Sequence, residues 1–313
     1  MKFDEITNLA LLRTENKSSR SGVGWALLDA QSNFLSADAV VAGSSPERPI
    51  FSIKKHIDKV DHLYLTTEPF EGVFNVSKLT QLLESSNLTK ITLGVPLPNS
   101  MVLNQWRSWL DKWSGTVIYD APNPVAERVT KGLSKFLQMG MPWITCVSAA
   151  GLTGSTIALD SLELEFGFRS YISNLLTGSR AVLYTKEQQP FLTHAELVNS
   201  ADEELYAYEV SSHEHFAPLL RHCANTACFH VIILCDMDSL SHLINLKLVD
   251  EIVHHICHEQ PTENLDIPND IDVSKTTLNL ADWKLLNSEV VGNCNRIVLS
   301  REVPTPLLGG RLN

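Results

Sequence analysis

No uninterrupted apolar stretch in the 313 residues approaches the roughly 20 that a helix needs to cross a bilayer, so no membrane partner is expected. The N-terminus is charged from its second residue, Met1-Lys2-Phe3-Asp4-Glu5, which does not fit a secretory leader, and a cytoplasmic chain is expected. Positive charge is scarce: 25 lysines and arginines face 36 acids, for a formal net charge of −11. A sequence-independent grip on nucleic acid draws its affinity from cations neutralising phosphates, so this balance argues against it and is easier to reconcile with a neutral or cationic partner. Cysteine is sparse as well. The six, Cys146, Cys223, Cys228, Cys235, Cys257 and Cys294, have no zinc-ribbon spacing, and reduced buried thiols are expected rather than a disulfide framework. There is no P-loop, no G-x-G-x-x-G and no Ser-His-Asp order of a nucleophilic triad.

What is present is apolar patterning, with 44% hydrophobic residues in a chain long enough for two domains. Phe3, Ile6, Leu9 and Ala10 share one face of an opening helix over Phe3 to Arg13. The apolar runs Val23–Leu28 and Phe34–Val41 flank a polar turn and predict paired strands. From Leu63 the chain alternates strand and helix. Strands are predicted at Leu63–Thr66, Ile91–Val95 and Thr116–Tyr119. Between them lie a helix carrying Val76, Leu79, Leu82 and Leu83 and a second over Leu103–Trp113. Trp106, Trp109, Leu110 and Trp113 form a stripe on that helix, which predicts core packing.

A helix then runs to Met139, and Gly140-Met141-Pro142 predicts a hinge. A second alternating series follows, with strands at Trp143–Ser148, Ala181–Tyr184, His230–Cys235, Glu251–Cys257 and Arg296–Ser300. Helices are predicted at Glu163–Leu176, His215–Ala227 and Leu240–Leu246, with a long polar loop over Glu259–Ser274. Two layered α/β domains are expected, residues 1–140 and 141–313.

Several segments carry a family resemblance in order. Leu65-Thr66-Thr67-Glu68-Pro69 is similar to a T-L-E-P-C motif. Ala126-Glu127 through Lys131-Gly132, then Gly140-Met141-Pro142-Trp143-Ile144, then Ala149 to Thr156, resemble an A-E-x-x-x-K-G-F helix, a G-x-P strand and an A-x-x-L-D-G-R turn. Leu248-Val249-Asp250-Glu251 resembles G-L-V-D-E. Together these resemble the bifunctional deaminase/reductase of riboflavin biosynthesis, the RibD type. The resemblance implies an α/β chain with an N-terminal cytidine-deaminase-like three-layer domain and a dihydrofolate-reductase-like α/β domain after it.

The same resemblance implies that the chemistry is gone. A zinc deaminase needs three protein ligands for the metal and a glutamate to move protons. The position after Glu68-Pro69, a cysteine in the family, is Phe70, and the second cysteine position falls on Leu79. The family's H-A-E falls near Gly43 to Pro49, where Glu47 is the only carboxylate and no histidine is present. In the second half, the family's lysine falls at Val147, and the polar residues of its turn fall at Gly151, Thr153 and Ser155. Its glycine-rich E-G-G-P turn corresponds to Cys235-Asp236-Met237-Asp238-Ser239, where two acids stand in the path of a phosphate and would repel NADPH.

No zinc and no nicotinamide cofactor are therefore expected. The leading expectation is a RibD-like pseudoenzyme that binds an unidentified small molecule or protein partner, with a homodimer formed through the C-terminal domain. The alternatives are a diverged enzyme with a rebuilt cleft and a residual riboflavin-pathway activity. The candidate polar groups for a rebuilt cleft are Glu47, Glu68, Glu71, Thr153, Ser155, Asp236 and Asp238. His254-His255-Ile256-Cys257-His258 invites a metal reading, but on a strand His254 and His258 face away from His255 and Cys257, and structural histidines are expected. His213-Glu214-His215 is expected to be a solvated helix start, and Cys223 and Cys228 buried thiols.

Overall fold

The computed structural model describes residues 22–41, 48–70, 74–98, 103–119, 124–152, 157–162, 168, 171–172, 175, 181–188, 206–226, 228–257 and 282–301. The chain divides into two compact units, Met1–Met141 and Pro142–Asn313. The opening helix, Glu47, Glu71, Thr153, Ser155, His258 and the Glu259–Ser274 loop lie outside the described residues, as does most of the segment Glu163–Leu176.

The first unit is built on five strands: β1 (Gly22–Leu28), β2 (Phe34–Val41), β3 (His62–Thr67), β4 (Lys90–Val95) and β5 (Thr116–Tyr119). Their order is β2-β1-β3-β4-β5. β1 is antiparallel to β2 and β3, and β3, β4 and β5 run parallel. Parallel neighbours need a crossover. Helix α2 (Val76–Glu84) connects β3 to β4, and helix α3 (Asn104–Leu110) connects β4 to β5; α1 (Arg48–Lys54) precedes β3 and α4 (Pro124–Met139) follows β5.

β3 is buried along its whole length, as expected for a central strand covered on both faces. α2 starts where the Asn75 side chain accepts a hydrogen bond from the Lys78 backbone N–H at 3.0 Å, and it buries Val76, Leu79, Thr80 and Leu83 at helical spacing. At the end of α4, Gly140 takes φ +67, a left-handed conformation that glycine adopts without a Cβ penalty, and its N–H closes on the Phe136 carbonyl.

Among the described residues the second unit carries seven strands: β6 (Trp143–Gly151), β7 (Ala181–Thr185), β8 (Tyr206–Val210), β9 (His230–Leu234), β10 (Glu251–Cys257), β11 (Trp283–Val291) and β12 (Cys294–Arg301). The order is β11-β12-β10-β6-β9-β7-β8. The five from β10 to β8 run parallel, and β12 and β11 are antiparallel additions at one edge. Helix α5 (Phe216–Asn225) leads from β8 to β9, and α6 (Met237–Asn245) from β9 to β10. β6 is buried at all nine positions. Val147, Phe168, Ile172, Ile232, Leu234 and Val253 meet in one apolar cluster beside it.

One expectation is overturned in part. Cys257 and Cys294 are joined by a disulfide; they are the last residue of β10 and the first of β12, directly opposed across the antiparallel ladder. Spacing along the chain gave no hint of a pair that strand register creates. The other four cysteines are free and buried.

The tryptophan stripe is only partly core. Trp106 is buried, whereas Trp109 and Trp113 are half-buried and stack on each other with ring centroids 5.7 Å apart. No helix among the described residues is long and apolar enough to cross a membrane.

Candidate functional site

In a sheet of parallel strands, ligands enter beyond the carboxyl ends of the strands, where chain reversals leave a crevice. The two units differ at that edge.

In the first unit, β3 runs out into Glu68-Pro69-Phe70 and β4 into Leu97. Glu68 is 1% exposed and is held on every side. The Arg107 guanidinium on α3 donates Nε–H to Glu68 Oε1 at 2.7 Å and Nη2–H to Oε2 at 2.6 Å, and the Leu97 N–H donates to Oε2 at 2.9 Å. Arg107 Nη2 also donates to the Leu97 carbonyl at 2.7 Å. The hydrogen bond to Glu68 is the main reason the Arg107 pKa lies above the ordinary arginine value. A fork-to-fork pair of this kind ties the ends of β3 and β4 to α3 and leaves the carboxylate little capacity for a substrate. Thr67 adds a hydrogen bond from its hydroxyl to the Val95 carbonyl at 2.6 Å.

Phe70 follows at 5% exposure and Leu79 of α2 is fully buried. Both are packed hydrocarbon at the positions where the resemblance implies zinc ligands. Neither can coordinate a cation, so the residues present do not fit the metal. Among the described residues no group of three or more His, Cys, Asp or Glu could hold a metal ion.

The second unit is open at the same edge. A cleft of about 650 Å³ lies beyond the ends of β7, β8 and β9, lined among others by Thr185, Lys186, Glu209, His213, Asp236 and Ser239. Asp236 is the N-cap of α6: its Oδ1 accepts the Ser239 backbone N–H at 2.7 Å and its Oδ2 accepts the Ser239 hydroxyl at 3.1 Å. Aspartate is favoured there because it satisfies an otherwise orphaned N–H and complements the positive end of the helix. A phosphate would seek the same amides. With the carboxylate already seated and no glycine in Cys235 to Ser239, this turn does not fit the pyrophosphate of a nicotinamide cofactor.

His213 stands over the cap. Its Nε2 lies 3.2 Å from Ser239 Oγ, and its ring stacks on His242 at 4.5 Å. Because the Ser239 hydroxyl donates to Asp236, the His213 ring N–H donates to Ser239, and the three form a chain of donors ending on a carboxylate. The serine proton is directed away from the histidine, which is opposite to an activated nucleophile. Cys235, next to Asp236, is fully buried; its hydrogen bond with Cys146, then burial, pushes its thiol well above the usual range, so it supplies no thiolate.

Of the sequence-predicted candidates among the described residues, only Asp236 lines this cleft. Asp238 is exposed on the first turn of α6 and is not among the lining residues, and Glu68 belongs to the other unit. Lys186, Glu209 and His213 were missed as cleft residues. The histidine stood in the sequence as a solvated helix start, and nothing in its neighbours indicated that it would line a cleft with the ends of β7 and β8. His254 and His255 are consecutive on β10 and point to opposite faces of the strand. His254 Nδ1 bonds Ser148 at 3.0 Å, and His255 packs its ring edge-on against Phe168 at 4.9 Å.

No family model matches the chain. A curated relative, the riboflavin biosynthesis protein RibD of Bacillus amyloliquefaciens, is 25% identical over 143 residues, and the match spans 46% of this chain but only 37% of that protein. Among solved structures, RibD of Acinetobacter baumannii superposes with a TM-score of 0.67 at 15% identity over 96% of this chain and 98% of its own. The diaminohydroxyphosphoribosylaminopyrimidine deaminase/5-amino-6-(5-phosphoribosylamino)uracil reductase of Thermotoga maritima gives 0.68 at 13% identity over 95% and 98%. The chain thus carries the RibD-type fold, a deaminase-like α/β unit followed by a dihydrofolate-reductase-like one.

Proposed function

We propose that this chain is a RibD-type protein that has lost both family chemistries and acts by binding, through the open cleft of its second unit. The observation that carries the reading is the replacement of zinc-ligand positions by buried hydrocarbon, Phe70 and Leu79, in a strand-end crevice that Glu68 and Arg107 close. The capped, acidic turn at Asp236 adds an independent loss in the second unit. A place near riboflavin or pyrimidine metabolism and a cytoplasmic location belong to the same reading.

Self-association through the second unit also belongs to it. The edge strand β11 exposes Leu285, Leu286 and Val290, apolar side chains that a second copy would cover.

The test is zinc analysis of the purified chain together with an assay of ammonia release from the pyrimidine substrate named for the Thermotoga maritima protein. The reading predicts zinc far below one ion per chain and no turnover. Stoichiometric zinc with turnover would overturn it.

A second reading, an enzyme with a rebuilt cleft, is favoured by the His213–Ser239–Asp236 chain, which fixes a proton on His213 Nε2. It predicts a turnover that His213→Gln abolishes and that the binding reading lacks.

A further inference from the structure

The disulfide of the second unit has polar neighbours on its own face of the sheet. Cys257 on β10 opposes Cys294 on β12, and two residues away along the same ladder His255 opposes Arg296. Residues two apart on a strand share a face, so the imidazole and the guanidinium stand on the same side of the sheet as the two sulfurs.

His255 is 1% exposed and Arg296 7%, and both have donors to spare. Arg296 directs Nε–H and Nη2–H onto Glu289 Oε1, while its Nη1 has no hydrogen-bond partner among the described residues, and neither ring nitrogen of His255 has one. Their other contacts are aromatic: Arg296 lies over the Tyr171 ring at 3.6 Å, and His255 meets Phe168 edge-on. Burial, then the charge of Arg296, holds the His255 pKa down at about 4, so near neutral pH the ring is uncharged and carries one N–H. A buried N–H without an acceptor costs on the order of 1–3 kcal/mol, and more on a charged group.

A disulfide sulfur is a weak acceptor, whereas a thiolate beside a cation is a favoured one. The spare donors therefore gain a partner when the bond opens, and whatever stabilises the reduced pair makes the disulfide easier to reduce. Glu289 opposes a thiolate only weakly, because it lies exposed on β11 and water screens it, while Arg296 is buried.

We propose that Cys257–Cys294 is a reversible redox site opened by low-molecular-weight thiols, with Arg296 and His255 as positioning residues that hold the thiolate formed. The thiolate of one reductant molecule attacks a sulfur of the pair, the S–S bond breaks, and the other sulfur leaves as a thiolate beside Arg296 and His255. A second reductant thiolate resolves the mixed disulfide. The pair gains two electrons and the reductant leaves as its own disulfide. Of the two protons released by the reductant thiols, one ends on a cysteine and the other goes to solvent. Opening the bond removes the closure of a sequence separation of 37 and leaves β10 and β12 joined by their backbone ladder, so redox state becomes local stability at this edge of the sheet.

The experiment equilibrates the full chain in buffers of reduced and oxidised glutathione, entered from both the reduced and the oxidised side because the cysteines are buried. Free thiols are trapped with N-ethylmaleimide and assigned to residues 257 and 294 by peptide mass. The wild type is expected to pass from closed to open within the glutathione series. Arg296→Gln should shift the equilibrium toward the disulfide by about tenfold, or about 30 mV for this two-electron couple, and Arg296→Lys, which keeps the charge, should shift it less. His255→Phe keeps a ring against Phe168 and should move the equilibrium in the same direction as Arg296→Gln, which keeps the test open should the arginine variant not fold.

A merely structural role would lower the unfolding midpoint of these variants and leave the exchange equilibrium where it is. That result would overturn the proposal, as would a pair that stays closed in reduced glutathione alone or one that stays open in oxidised glutathione alone.

Discussion

The strand-end crevices of the two units are built in opposite ways. In the first, a buried Glu68 is clamped by Arg107 and Leu97, and Phe70 and Leu79 pack as core. In the second, the acid at the comparable turn caps its own helix and faces a cleft of about 650 Å³. One carboxylate has become part of the scaffold, and the other remains available. A strand-end crevice can be filled, which adds to stability, or left open with an acid at its helix start.

The sharpest way to break the comparison is to release the clamp. Arg107→Leu leaves the Glu68 carboxyl buried without its partner, and a loss of about 3–5 kcal/mol in urea unfolding is expected. If the loss were below about 1 kcal/mol, Glu68 would not depend on its clamp, and the two crevices would not differ in kind.

The next effect lies in the second unit. Replacing Cys257 and Cys294 with serine opens a loop of sequence separation 37, and a loss of roughly 3–4 kcal/mol is expected, seen as a lowered unfolding midpoint of the oxidised chain. Hydrogen exchange should confine the loss to β10, β11 and β12, with β1 to β5 unchanged.

Acid sharpens the comparison further. Burial lowers the pKa of His62 in the first unit and of His254 and His255 in the second to about 4 each. The unfolded chain takes up these protons near pH 6.5 and the folded chain only near 4. Stability is thus full above about 6.5 and falls as the pH drops toward 4, by on the order of 1–3 kcal/mol per histidine. With two such groups against one among the described histidines, the second unit should lose exchange protection at the higher pH. Equal acid sensitivity of both units would contradict this.

The smallest effect is the informative control. Asp236→Asn keeps the cap and disturbs no core, so a change within about 0.5 kcal/mol is expected. A cost near that of Arg107→Leu would make Asp236 a structural group too.

Much of the fold was legible because its central strands are apolar on both faces. The runs at β3, β4, β6 and β9 and the helical spacing of Val76, Leu79 and Leu83 carry that signal directly. β8 and β11 were not legible. They lie at the two edges of the second sheet, and all but one residue of each is exposed or half-exposed, so neither shows the alternation that one buried face imposes. The disulfide escaped for a related reason, since Cys257 and Cys294 meet only through register.

Of the site, the apolar residues at Phe70 and Leu79 could be read from position against a motif, and the acid at Asp236 likewise. That Glu68 is locked depends on Arg107, 39 residues away on another element. Periodicity does not report a contact of that separation.

The proposed loss of both chemistries turns most directly on whether the second cleft takes a nicotinamide cofactor. Isothermal titration of the full purified chain with NADPH measures it. The account predicts no saturable binding up to roughly 1 mM, and a dissociation constant in the low micromolar range would contradict it.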